Sequence, residues 1–133
     1  RQWIVARSLC LYRVFLFGAV PPSERRSALN LRVRQWSPFA ETGRYVVWNE
    51  GDPERPSAAH VWIWDETVRC KAAKGTEANI SRIFPEAVLR QPPEHDTLRL
   101  VSCAEGIEAQ IWRDGELAAS HWWADDPPAG TVA

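Results

Sequence analysis

Residues 59–64 read AHVWIW, and this run decides the fold. In an extended chain successive side chains point to opposite faces, so His60, Trp62 and Trp64 share one face while Val61 and Ile63 share the other. Both sets are too apolar for open water, and both faces of the strand must be at least partly covered. Upstream, Gly43 opens a second run, Arg44 to Trp48 (RYVVW). The intervening GDPERPSA carries a glycine and two prolines that exclude regular structure. The two runs read as an antiparallel pair joined by a loop.

Working outward, Leu9 to Phe17 (LCLYRVFLF) is rich in β-branched, aromatic and aliphatic residues, and Gly18 and Pro21-Pro22 close it, so it reads as a buried strand. Ser23 has the chemistry of a helix N-cap. Leu29, Val33 and Trp36 then recur at i, i+4 and i+7, giving one apolar stripe on a helix whose other face carries Arg25, Arg26, Arg32 and Arg34. Pro38 ends this helix, because the residue before a proline is pushed out of the α region. Asp65 caps a second helix that runs to about Lys74 and stops at Gly75. Asn79 to Phe84 fits either a short strand or a helix end, broken by Pro85-Glu86. Leu98–Cys103, Glu108–Arg113 and Leu117–Trp123 form a three-strand meander with turns at Glu105-Gly106 and Asp114-Gly115, the latter a strong hairpin signal. The predicted order is β-α-β-β-α-β-β-β, with about six strands and two helices. It describes an α+β domain or a mixed-sheet α/β one. One domain is expected over residues 1–124, and DDPPAGTVA (residues 125–133) reads as a linker or tail.

Composition bounds the function. With 133 residues, the chain buries roughly two-thirds of its unfolded surface and needs no staples. Hydrophobic residues make up 45% and charged residues 25%, which excludes a disordered chain. A formal net charge of -1 removes any bulk attraction to nucleic acid. Cys10, Cys70 and Cys103 are odd in number and far apart, so neither a disulfide framework nor a zinc site is expected, and a reducing compartment fits best. The apolar stretch at Leu9–Val20 is interrupted by Arg13 and falls short of the roughly 20 residues that span a bilayer. The start at Arg1 and the lack of methionine point to a piece of a longer protein, so any membrane anchor is expected outside this chain.

No Walker-type loop, GxGxxG or GxSxG occurs, and no cofactor is expected. His60, His95 and His121 stand apart without metal-ligand spacing, and His60 and His121 read as half-buried structural residues. Cys70 and Cys103 read as small core residues. The carboxylates at Glu50-Asp52, Asp65-Glu66 and Asp125-Asp126 sit at turns or helix starts, where capping and solvation account for them. A site assembled from scattered residues such as His60, Cys70 and Glu108 leaves no motif to read.

Eight tryptophans are more than a core of this size demands. Tryptophan is enriched where a dry side meets a ligand or partner, because its N–H needs a hydrogen-bond acceptor. Trp122 and Trp123 are adjacent on a strand and must point to opposite faces, which makes one of them an exposed anchor or else the underside of a second layer. A tryptophan platform for carbohydrate or an aromatic metabolite is the alternative to a protein contact. The arginine face of the first helix, Arg25, Arg26 and Arg32, with Trp36, Trp122 and Trp123, makes up the expected protein interface.

The stretch Arg26 to Phe39 (RSALNLRVRQWSPF) resembles the helix ending in an LPF or LPY signature in the cytoplasmic, actin-like part of the type II secretion system L protein and its type IV pilus M relatives. The parts that follow come in that family's order: a strand at Arg44–Trp48, a loop through Pro56, a strand at Val61–Trp64, a helix after Asp65, and a Pro-Glu step at Phe84-Pro85-Glu86. Arg113-Asp114-Gly115 stands near the place of the family's vR.G element. The chain departs from the family at Ser37, where Leu is usual, and in a shorter segment after Phe39. The resemblance implies a ribonuclease-H-like or actin-like fold and a non-catalytic cytoplasmic scaffold. Its implied partner is an assembly ATPase, docked at an inner-membrane secretion or pilus platform, with a homodimer as a further expectation. Membrane association would come only through segments outside this chain.

Overall fold

Strand β4 (Ala58–Asp65) is buried along all but its last residue, as the alternation of two apolar sets requires. A computed structural model describes residues 2–74 and 82–124 of the chain. In it β4 is the centre of an antiparallel sheet, between β2 (Leu11–Leu16) and β3 (Thr42–Asn49). The register pairs Val61 with both Arg13 and Val46. On one face Ala59, Val61 and Ile63 pack with Phe15 and Phe17 against Leu29 and Val33 of helix α1 (Arg25–Trp36). On the other, Trp62 and Trp64 pack with Val5, Cys10, Ala87 and Leu117.

Helix α1 carries the expected stripe, and Trp36 completes it edge-on to Phe15, ring centroids 5.7 Å apart. Ser37 is extended ahead of Pro38, and its N–H closes the last turn on the Val33 carbonyl. The start differs from expectation. Ser23 does not cap the helix; it lies inside a short 3-10 turn, Pro22–Glu24, and Glu24 occupies the cap position without a side-chain bond. Pro21 and Pro22 pre-set the backbone, so the chain enters the helix through that turn and leaves no open N–H pair for a serine. Helix α2 (Glu66–Ala72) is capped as read: the Asp65 carboxylate accepts from Thr67 N at 3.0 Å and Val68 N at 3.3 Å. The stop expected at Gly75 lies outside the described residues, as do the start of the element expected at Asn79 and the tail from residue 125.

Three further strands, β6 (Thr97–Ser102), β7 (Ile107–Arg113) and β8 (Glu116–Trp123), form the expected antiparallel meander. Its second turn has Asp114 at φ 54° and Gly115 at φ 78°, the left-handed pair that a two-residue hairpin needs. The count of six strands is corrected to eight described ones. β1 (Gln2–Val5) was not expected, and it pairs in parallel with β5 (Arg82–Pro85), which settles the ambiguous segment before Pro85 as a strand. Four residues pairing with a partner some 80 positions away are selected by tertiary packing, and a local pattern carries no trace of it. The architecture is α+β, with two helices and mixed parallel and antiparallel sheets. No helix among the described residues is long and apolar enough to cross a membrane.

Candidate functional site

The arginines on α1 are less free than their spacing implies. Arg32 donates from Nη1 to the Leu16 carbonyl at 2.7 Å and lays its guanidinium 4.5 Å from the centre of the Phe17 ring. Arg25 donates from Nε to the Val20 carbonyl at 3.2 Å. Both therefore fasten the end of β2 and the following turn to the helix. Arg26 is exposed. Trp36 and Trp122 come together across one depression that Tyr12 and Arg7 also line, and the Trp122 N–H is spent on the Glu105 carbonyl. Trp123 lies on the opposite face of β8, beside His121, ring centroids 4.3 Å apart. The expected interface residues thus fall on at least two separate surfaces.

The inner face of the β6–β8 sheet carries a buried polar cluster beside the apolar Val101 and Leu117. Glu108, fully buried, accepts from Arg7 Nε at 3.0 Å, from Ser120 and from Gln110 Nε2 at 2.9 Å. Arg7 also donates to the Cys10 carbonyl at 2.8 Å, and Gln110 accepts from Trp112 and from Arg99, both at 2.8 Å. Such a charge is tolerable inside a protein only when every lone pair is occupied, and here the pairing is nearly complete. Nothing local in the sequence marks Arg7 as the partner of a residue 101 positions away.

A second network ties this sheet to the central one. His60, buried on β4, meets Tyr12 through Nδ1 at 2.7 Å and Glu116 through Nε2 at 2.9 Å, and the Tyr12 hydroxyl also donates to the Leu117 carbonyl. Burial, with the nearby Glu116 and Glu108 carboxylates adding to it, holds the Tyr12 phenol well above its ordinary range. The order carboxylate, imidazole, hydroxyl is that of a proton relay, but the terminal hydroxyl is committed to a backbone acceptor and stays protonated. The trio works as a brace between sheets. Cys70 bonds with Glu66 on α2, so His60, Cys70 and Glu108 each belong to a different hydrogen-bond network. Burial pushes the Cys10 thiol up to about 12, with neighbouring charges as smaller effects. Among the described residues no group of three or more His, Cys, Asp or Glu side chains is placed to hold a metal ion.

The outer face of the same sheet is its inverse. The register puts Leu98 opposite Ile111, Leu100 opposite Ala109 and Ser102 opposite Ile107, then continues to Ala119, His121 and Trp123 on β8. Leu98, Leu100 and Ile111 are 45%, 53% and 36% exposed. None of the three belongs to either hydrophobic cluster, and Arg113, at one end, is the single Lys, Arg, Asp or Glu on β6 and β7 that shares this face. Large aliphatic side chains side by side on an open sheet face mark a contact surface, because scattered singles would need no such explanation.

No protein-family model matches this chain, and comparison with curated proteins and with solved structures returned no match.

Proposed function

We propose that the chain is a non-catalytic protein-interaction domain whose docking surface is the outer face of the β6–β8 sheet. The observation that carries this reading is the row Leu98, Leu100 and Ile111, exposed together on the sheet face that also carries Trp123 at its other end, a face almost without charge. An occupant matched to that face is another protein's apolar, uncharged strip. An acidic peptide, a nucleic acid or an anionic membrane surface would need a basic patch here. Covering these three side chains would contribute on the order of 1 kcal/mol each. The likeness of Arg26–Phe39 and of the element order to the type II secretion L and pilus M proteins supports an assembly ATPase as that partner, and with it a cytoplasmic scaffold beside the inner membrane.

The test is the affinity of the purified chain for the purified assembly ATPase of the same cell, with Leu98→Glu/Ile111→Glu compared with Arg26→Glu. The proposal expects the sheet variant to lose binding and the helix variant to keep it. Binding that survives the sheet change, or is absent from the unaltered chain, contradicts it. A dimer that sedimentation shows to be abolished by Leu98→Glu, without ATPase binding, makes a second copy the occupant and overturns the assignment of partner.

A further inference from the structure

Strand β6 lies at the end of its sheet: β7 pairs with it on one side, and no strand among the described residues pairs with it on the other. The direction of its backbone groups follows from the turn. The Cys103 N–H donates to the Gly106 carbonyl, so these two residues form a hydrogen-bonded pair. In an antiparallel ladder such pairs alternate with pairs whose N–H and C=O groups point away from the neighbouring strand. Counted back along the register, Ser102, Leu100 and Leu98 are of the second kind, opposite Ile107, Ala109 and Ile111. The side-chain bonds agree with this count. The Ser102 carbonyl accepts from the exposed Arg90 guanidinium, and the Leu98 carbonyl takes the Thr97 hydroxyl at 3.2 Å. The register with β7 has no bulge, and β6 holds neither proline nor lysine, so the devices that keep an open edge from pairing are missing here.

We propose that the partner of this sheet docks as an extended segment added antiparallel to β6, with aliphatic side chains at two alternate positions and an acidic residue two places ahead of the first. The inference rests on the docking face proposed above and names how that face is engaged. An added strand meets the outward N–H and C=O groups of Leu98, Leu100 and Ser102. Residues directly opposite each other share a face, so the segment's aliphatic side chains lie beside Leu98 and Leu100, which are 45% and 53% exposed. Charge decides where the acidic residue sits. Arg90, held at Ser102, has no ion-pair partner among the described residues, whereas the exposed Asp96 precedes the other end of the strand. An acid opposite Ser102 meets the guanidinium, and one at the Thr97 end would meet a like charge.

The probe is the blocked hexapeptide acetyl-DTVTVT-amide, titrated into the labelled chain with amide hydrogen exchange as the readout. It places its aspartate opposite Ser102 and its valines opposite Leu100 and Leu98. At ten times its dissociation constant, exchange of the Leu98 and Leu100 N–H groups should slow about tenfold, with those of Arg99 and Val101, already in the β7 ladder, unchanged. Methyl groups on the two valine nitrogens, which face β6, should abolish binding, and methyl groups on the first two threonine nitrogens, which face away, should leave it. Arg90→Gln, a change at an exposed side chain, should weaken binding about threefold. A peptide that leaves Leu98 and Leu100 unprotected, equal loss from both methylated peptides, or an affinity untouched by Arg90→Gln overturns the proposal. If the peptide fails while the assembly ATPase still perturbs the Leu98 and Ile111 methyl groups, the docking face stands and strand addition alone falls.

Discussion

The central β2-β4-β3 sheet and the β6-β7-β8 sheet are both three-stranded and antiparallel, yet they solve burial in opposite ways. The first is largely apolar on both sides, with α1 against Val61 and Ile63, the tryptophan cluster against Trp62 and Trp64, and His60 as its buried polar group. The second turns a hydrogen-bonded polar cluster inward beside Val101 and Leu117, Glu108 and Gln110 held by Arg7, Ser120 and Arg99, and leaves Leu98, Leu100 and Ile111 facing out. The difference teaches that strand alternation alone does not say which face is the core. A polar row is internal when a buried partner completes it, and an apolar row is external when something else is to cover it.

Substitutions can break or sharpen that contrast. The largest effect is expected at Glu108→Ala, which strands the Arg7 guanidinium in the interior. Chemical denaturation should show a loss of about 3–5 kcal/mol, and a loss below 1 kcal/mol would mean that the polar layer is solvated. Next comes a matched pair. Ile63→Ala in the central sheet should cost about 2–5 kcal/mol. Leu98→Ala in the outer row should cost no more than about 0.5 kcal/mol in the isolated chain. Equal costs at the two sites would dissolve the distinction between the sheets. A smaller effect, about 1–2 kcal/mol, is expected for Arg32→Glu, which removes a carbonyl bond and a contact over Phe17. A neutral result would return that residue to the free helix face that its spacing predicts.

The smallest prediction concerns pH. Burial on its own would raise the Glu66 carboxyl, but hydrogen bonds from Arg69 and Trp64 together hold it below its ordinary value. A carboxylate lowered in the folded state stabilises above its unfolded pKa, and that contribution fades as pH falls through the folded one. Thermal melts of Glu66→Gln should therefore lie below the unaltered chain at neutral pH by a few tenths of a kcal/mol, about what a partly exposed pair contributes, and should converge with it in acid. A gap that widens in acid contradicts the assignment.

Much of the fold was legible because its signals are local. The alternation in residues 59–64, the Leu29–Val33–Trp36 stripe, Pro38 after Ser37 and the Asp114-Gly115 turn each act within a few residues. What stayed hidden depends on distant partners: the parallel pairing of β1 with β5, the Arg7–Glu108 pair and the Tyr12–His60–Glu116 brace. Trp122 and Trp123 were readable as opposite-facing from adjacency alone. Which of them faces the polar interior follows only from the register with β7, where Trp122 stands opposite Glu108 and Trp123 opposite Ile107.

The most direct test of the docking face is an NMR titration of the labelled chain with the assembly ATPase, read residue by residue. The proposal predicts perturbation centred on the methyl groups of Leu98, Leu100 and Ile111 and the indole of Trp123, with α1 silent. Perturbation centred on Arg25, Arg26 and Arg32 instead, or none at saturating ATPase, would contradict it.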